Sequence, residues 1–276
     1  MPYKALGIFS TLIFAGFSLP VLGNTFIHPM MERTNAFSFG AFYQATDVGI
    51  ESSADLGLSA GLNLEKLGVD TSDTSAVFHY RRRLSQRFSL DVNYSDYRSQ
   101  GERVLNADVD YEGTIYEVGA RLRTEFNTQS IATRLTYDFY QTPTTALGVG
   151  FGIHAMELQA SLSGEGRIDG DVVATPRVAS DKLFAPLPNF IFSARHAFDD
   201  RLLLSLSAGW LSFNIDDYEG RILLAEASLG YRITESASIA VAYQRNDIDV
   251  SYYGDSLASN YNMVQGGPLL MIKWAF

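Results

Sequence analysis

The chain has 276 residues and a net charge of −10, which argues against a nucleic-acid binder, whose phosphate-facing surface needs a basic excess. Apolar residues make up 46% against 19% charged, which excludes a disordered chain. The absence of cysteine excludes a disulfide scaffold, a Cys–zinc site, a thiol nucleophile and a lipid-modified Cys anchor.

At the N-terminus Lys4 is followed by an apolar stretch, Leu6 to Phe17, and then by Pro20, Val21, Leu22 and Gly23. A basic start, a short apolar core and small residues at a cleavage position describe a secretory signal over 1–23, too short to span a membrane as a helix. The mature chain, 24–276, then carries 20 basic against 31 acidic residues. His28 falls in a lead expected to be unstructured.

From Ala36 onward, apolar and polar residues alternate. Phe88, Leu90, Val92 and Tyr94 form one row; Ile131, Thr133, Leu135, Tyr137 and Phe139 form another. Leu147, Val149, Phe151 and Ile153 interleave with Gly148, Gly150 and Gly152. Leu202 to Trp210, Leu223 to Tyr231, Ile239 to Tyr243 and Leu270 to Phe276 continue the pattern. Period two without helical periodicity means an all-β protein. Short connections near Leu84–Arg87, Gln141–Thr144, Phe198–Arg201 and Thr234–Ser236 alternate with long ones over 48–73, 98–125, 162–183 and 248–267; only Asp216–Gly220 is tight. Short turns on one side and long loops on the other mark an antiparallel up-and-down transmembrane β-barrel of a Gram-negative outer membrane rather than a soluble sandwich. Ten strands are expected, within a range of eight to twelve: 37–48, 74–84, 87–98, 126–141, 144–161, 184–197, 201–216, 221–233, 236–250 and 267–276. The alternating segments at 56–64 and 113–122 read as strand extensions or small structures above the membrane.

The chain closes on Trp274-Ala275-Phe276. This resembles the C-terminal assembly signal of bacterial outer-membrane barrels, which implies recognition of Trp274 and Phe276 by the barrel-assembly machinery. Asn63-Leu-Glu-Lys-Leu-Gly68, Tyr80-Arg81, Tyr94-Ser-Asp-Tyr-Arg98, Ala185-Pro-Leu-Pro188, Asp216-Asp-Tyr-Glu-Gly220 and Gly267-Pro268 together resemble a widespread family of uncharacterised proteobacterial barrels. That resemblance implies the architecture and leaves the activity open.

On this register the lumen receives a charge network of His79, Arg81, Arg83, Asp91, Arg134, Asp138, Arg195, Glu226, Arg232 and Lys273. Arg134 should lie beside the glycine row, with Asp138 or Glu226 as its partner. Interlocked charges fill a narrow barrel; in a wider one they make an anion-leaning pore. The leading role is a closed barrel with acidic surface loops and a structural or surface-interaction function. Its partners are membrane lipid and lipopolysaccharide, with no cofactor and no nucleic acid. A narrow, porin-like channel for small anionic solutes is the second reading. An enzyme, protease or lipid-modifying, is the third and weakest; it would use His154 with Asp216 and Asp217 at the rim. A metal site is equally thin, resting on the loop carboxylates Glu51, Asp55, Glu65, Asp70 and Asp73.

Overall fold

The computed structural model describes residues 26–276 except 55–58, 64–71, 107, 112–113, 216–217 and 254–256, so the expected signal segment lies outside the described residues. One short helix, α1 (Pro29–Glu32), precedes β1 (Asn35–Ala54), β2 (Ser59–Asn63), β3 (Ser72–Arg83), β4 (Phe88–Val104), β5 (Val109–Tyr111), β6 (Thr114–Tyr116) and β7 (Arg121–Gln141). The chain continues through β8 (Thr145–Ile168), β9 (Asp171–Ala197), β10 (Leu202–Ile215), β11 (Tyr218–Arg232), β12 (Ala237–Tyr253) and β13 (Leu257–Ala275). Ten of these strands form a closed antiparallel ring in the order β1-β3-β4-β7-β8-β9-β10-β11-β12-β13, with β13 returning to β1. β2, β5 and β6 are short additions outside the ring, so 56–64 and 113–122 add no spanning strand.

The ring closes where the last strand meets the first. Phe37 pairs with Trp274, and Asn35 and Phe276 exchange backbone N–H···O=C bonds of 3.0 and 2.9 Å. The Phe276 ring stacks on Phe37, with centroids 5.8 Å apart. Closure leaves no edge strand, so every backbone polar group in the apolar zone finds a partner within the ring.

The pleat sorts side chains into two sets. Leu206, Val241, Leu270 and Ile272 point outward and are exposed, as are Phe39, Phe151 and Phe192. A continuous apolar outer surface on a closed ring is a membrane-facing belt, flanked at the short-turn end by Phe37, Tyr80, Phe88, Tyr137, Trp274 and Tyr231. Ser205, Ala240 and Met271 lie on the opposite, inward row. Inward does not mean wet: Ala240 and Met271 are buried with Phe42, Ala242 and Leu269 in an apolar cluster that lines one wall of the lumen.

The long-loop side differs from expectation. Instead of loops at 162–183 and 248–267, the strands run on as β-ribbons. β8 and β9, with 24 and 27 residues, pair down to Ile168 and Asp171. A transmembrane crossing needs about 9–11 residues. The strands do not stop at the membrane surface; beyond it the apolar side chains that remain, Tyr116, Leu122 and Ile168 among them, are buried beneath the ribbon instead of forming an outward row, so the pattern no longer marks a crossing. The overlooked mark is Asp169-Gly170, both at positive φ (51° and 84°), a two-residue hairpin turn. Asp169 Oδ1 also accepts the Ile115 N–H at 2.7 Å, so it belongs to a structured turn rather than to a loop.

The two rows make different demands. Val241→Arg, at a position 57% exposed to the membrane side, is expected to cost about 2–4 kcal/mol in urea unfolding from lipid vesicles. Ser205→Asn, on the chamber side, should cost well under that. Equal losses at both positions would mean the outward row does not face lipid.

Candidate functional site

The interior is layered. At the short-turn end the segment 26–33 folds back across the mouth. Ile27 N–H donates to the Pro143 carbonyl at 2.9 Å, and His28 caps α1. Phe26 and Met31 are buried against Ala146 and Ala197, with Leu203 packed beside them. Arg83 is the clamp: its guanidinium donates to the carbonyls of Met31, Glu32, Ser85 and Gln86 and lies over the Phe26 ring at 5.4 Å. His28 is thus buried and ordered, not part of a loose lead, because both ring nitrogens have work. Nε2–H donates to the Arg201 carbonyl and Nδ1 accepts the Met30 N–H, each at 3.2 Å.

Above this floor, where Met30 reaches in, lies a cavity of about 210 Å³ lined by inward side chains. His79, Arg81, Asp91, Arg134, Arg195, Glu226 and Lys273 all reach it. His79 Nε2 meets Asp91 Oδ1 at 2.9 Å, and Arg81 donates to Ser89 Oγ at 3.1 Å. Opposite Asp91 in the ladder stand Arg81 on β3 and Arg134 on β7, so one carboxylate sits between two guanidinium-bearing positions.

The most buried ion pair among the described residues is Arg195–Asp138, at 2.5 Å with side chains only 9% and 6% exposed. It joins β9 to β7 across β8, and the sequence shows why this is possible. β8 presents Ala146, Gly148, Gly150 and Gly152 inward, a strip with almost no side-chain bulk. A Cβ at Gly148 would come within 2.8 Å of Asp138 Oδ1 and 2.7 Å of Ser193 Oγ. Asp138 keeps the inward register of Arg134 and Thr136, and a register shift between Asp138 and Tyr140 bends β7 just beyond it.

Arg134, opposite Gly152, reaches over the same strip to Ser207 Oγ on β10 at 3.3 Å. Its partner is therefore neither Asp138, which Arg195 has taken, nor Glu226. Glu226 and Lys273 line the cavity without a hydrogen bond or ion pair among the described residues. Arg232 stands apart at the periplasmic turn, paired with Asp200. The network expected as one unit is thus three parts: the floor clamp at Arg83, the chamber, and the turn pair.

Toward the long-loop end an apolar layer succeeds the chamber. Tyr97, Phe126, Met156, Leu187, Ile222, Ile248 and Met263, one from each of seven barrel strands, belong to a single buried cluster. It continues outward into Leu105, Tyr116, Ala120, Leu122 and Ile168 beneath the β7–β8 ribbon. Alternation alone could not separate these inward apolar residues from lipid-facing ones.

His154 lies within the lumen, 5% exposed, with Nε2 2.6 Å from Ser130 Oγ and no partner on Nδ1 among the described residues. It is not on the rim. Asp216 and Asp217 lie outside the described residues, as do Asp55, Glu65 and Asp70. Glu51 is on β1, and Asp73 Oδ1 accepts the Thr74 N–H at 2.6 Å. No group of three or more His, Asp or Glu able to hold a metal occurs among the described residues.

No family model and no curated protein matches the chain in sequence. Solved structures do match in shape. The outer membrane protease OmpT of Escherichia coli aligns with a TM-score of 0.55 at 11% identity, covering 88% of this chain and 97% of its own. The fold is that of an outer-membrane β-barrel. The toluene transporter TbuX of Ralstonia pickettii (TM-score 0.38, 11% identity, 92% and 96% covered) and Ail of Yersinia pestis (0.29, 10%, 86% and 98%) align more loosely. At such identities the likeness carries the architecture and no activity.

Two outcomes follow from the geometry. Removing one member of a buried ion pair typically costs about 3–5 kcal/mol. Asp138→Ala is expected to fall in that range by denaturant unfolding, and Arg134→Ala below it, since Arg134 is part-buried, hydrogen-bonds only Ser207, and the carboxylate opposite it, Asp91, is already bonded by His79. For His28, burial lowers the imidazole pKa from 6.5; Arg232 lowers it further, while the Arg201 carbonyl, Asp199 and Asp200 raise it, and burial prevails. The docked segment holds the neutral ring, so its docking is fully present above the free-histidine pKa and weakens as pH falls below it. Amide protection factors at Ile27, Met31 and Arg33, corrected for the intrinsic slowing of exchange in acid, should fall on going from pH 7.5 toward pH 5, with those of the barrel strands unchanged.

Proposed function

We propose that this protein is a closed outer-membrane barrel whose role is structural or surface-directed. The layered interior carries the reading: a clamped floor, a chamber with bonded charges and an apolar ceiling succeed one another along one lumen. An aqueous pore needs a continuous polar path, and the apolar layer interrupts it. What the barrel then offers is its outer face, above all the β8–β9 ribbon, which runs more than a dozen residues per strand beyond a membrane crossing. In this reading the chain reaches the outer membrane after cleavage of its first 23 residues. Trp274 and Phe276 serve the assembly machinery, and the partners are membrane lipid and lipopolysaccharide. The lumen charges fill the barrel, with Arg195–Asp138 as their centre.

The narrow-channel reading draws on the same chamber, where cations outnumber carboxylates. Planar-bilayer recording of the purified protein separates the two. The closed barrel predicts no stepwise conductance at neutral pH; regular single-channel steps with anion preference would favour the channel and overturn the closed reading.

A further inference from the structure

An unpartnered ring nitrogen and a part-buried guanidinium lie on paired strands in the chamber wall. His154 is 95% buried and its Nε2 is engaged by Ser130, whose hydroxyl can donate to it. With the Ser130 hydroxyl as donor, the ring proton sits on Nδ1, which has no partner among the described residues. Arg134 is placed two inward steps away: it faces Gly152 while His154 faces Ala132 on the paired strand. Diagonal inward neighbours on paired strands are roughly 7–8 Å apart. Gly152 contributes no side chain, and the guanidinium has only Ser207 as a described partner. Around them the chamber holds four cations, Arg81, Arg134, Arg195 and Lys273, against three carboxylates, counting Asp138 through its bond to Arg195. One positive charge in excess within a largely enclosed chamber is costly, and a buried N–H without an acceptor adds to the cost.

We infer that the chamber holds one small monovalent anion, of the size of chloride, nitrate or formate, bound between the Arg134 guanidinium and His154 Nδ1–H. The charge is right, because one negative charge balances the excess. The size is right, because about 210 Å³ must also hold the long side chains' hydration. The chemistry is right, because both groups are donors. The site belongs to the folded barrel whether or not the barrel conducts, so it stands independently of the closed reading.

The test is thermal unfolding of the refolded protein in sodium chloride, sodium nitrate and sodium gluconate at equal ionic strength. Gluconate, a bulky and weakly coordinating anion, holds the ionic strength and serves as the blank. The expected result is a melting temperature that climbs with chloride or nitrate and not with gluconate. Arg134→Gln should abolish that climb, and Arg221→Gln, on the outward row, should leave it intact. Should Arg134→Gln fail to fold, wild-type crystals grown in sodium bromide decide: the proposal expects an anomalous peak within hydrogen-bond reach of His154 Nδ1. It is overturned if the salts act alike, if Arg134→Gln keeps the full anion dependence, or if the site contains water only.

Discussion

Everything in this molecule depends on the bonds between its first and last strands. A sheet of this length would otherwise expose two rows of N–H and C=O groups to hydrocarbon, where each unsatisfied group is worth several kcal/mol. The β1–β13 ladder, from Ala36–Ala275 to Ala54–Leu257, removes both edges at once. Once the ring is shut, the pleat leaves every side chain two choices, lipid or lumen. The outward rows answer with Leu, Val, Ile and Phe. The inward rows must fill a narrow tube with whatever fits, and that second demand produces the layers.

The filling follows from one bare strand. β8 turns a strip of alanine and glycine inward, so side chains from β7 and β9 meet over it as if they were adjacent. Arg195 and Asp138 are the result, and Arg134 extends further still to β10. Across the lumen β1, β12 and β13 present Phe42, Ala240, Leu269 and Met271. One wall of the tube is ionic and the other apolar, so the charges are held by small residues beside them rather than by a symmetrical ring of partners. Low dielectric on the apolar side strengthens the pairs that form and penalises any group left without one.

Much of this was legible in the sequence, for a physical reason. A membrane forces apolar residues onto every second position, and the four periplasmic turns fall where that alternation starts and stops. Period two also places His79, Asp91, Arg134, Asp138 and Lys273 on the inner face, because a residue next to a lipid-facing one points to the opposite side of the sheet. Three things were beyond its reach. The strands continue past the bilayer, where no lipid imposes an outward apolar row and the apolar residues that remain pack beneath the ribbon. The partner of Asp138 sits 57 positions away, set by the glycines of β8 rather than by any local spacing. Finally, Phe26, His28 and Met31 occur in a short segment without periodicity, and only the shape of the barrel mouth gives them a place to bury.

The tall ribbon raises a question that its own pairing cannot answer, since an isolated two-stranded hairpin is at best marginally stable in water. The cluster above the chamber supplies what the pairing lacks. Tyr116 and Ile168 are fully buried in it, at the level where β6 touches β8, and Leu122 and Ala120 join them from the approach to β7. Gly164 fits under the Tyr116 ring, where a Cβ would approach within 2.4 Å of Cδ1. The same cluster descends without a break to Phe126, Met156 and Leu187 inside the barrel. The inward residues of the barrel's upper layer and those that brace the ribbon are therefore one packed unit. In the closed-barrel reading, opening the lumen from above would require unpacking the ribbon's support, because the apolar volume that would have to leave for conduction is the volume packed beneath the projection.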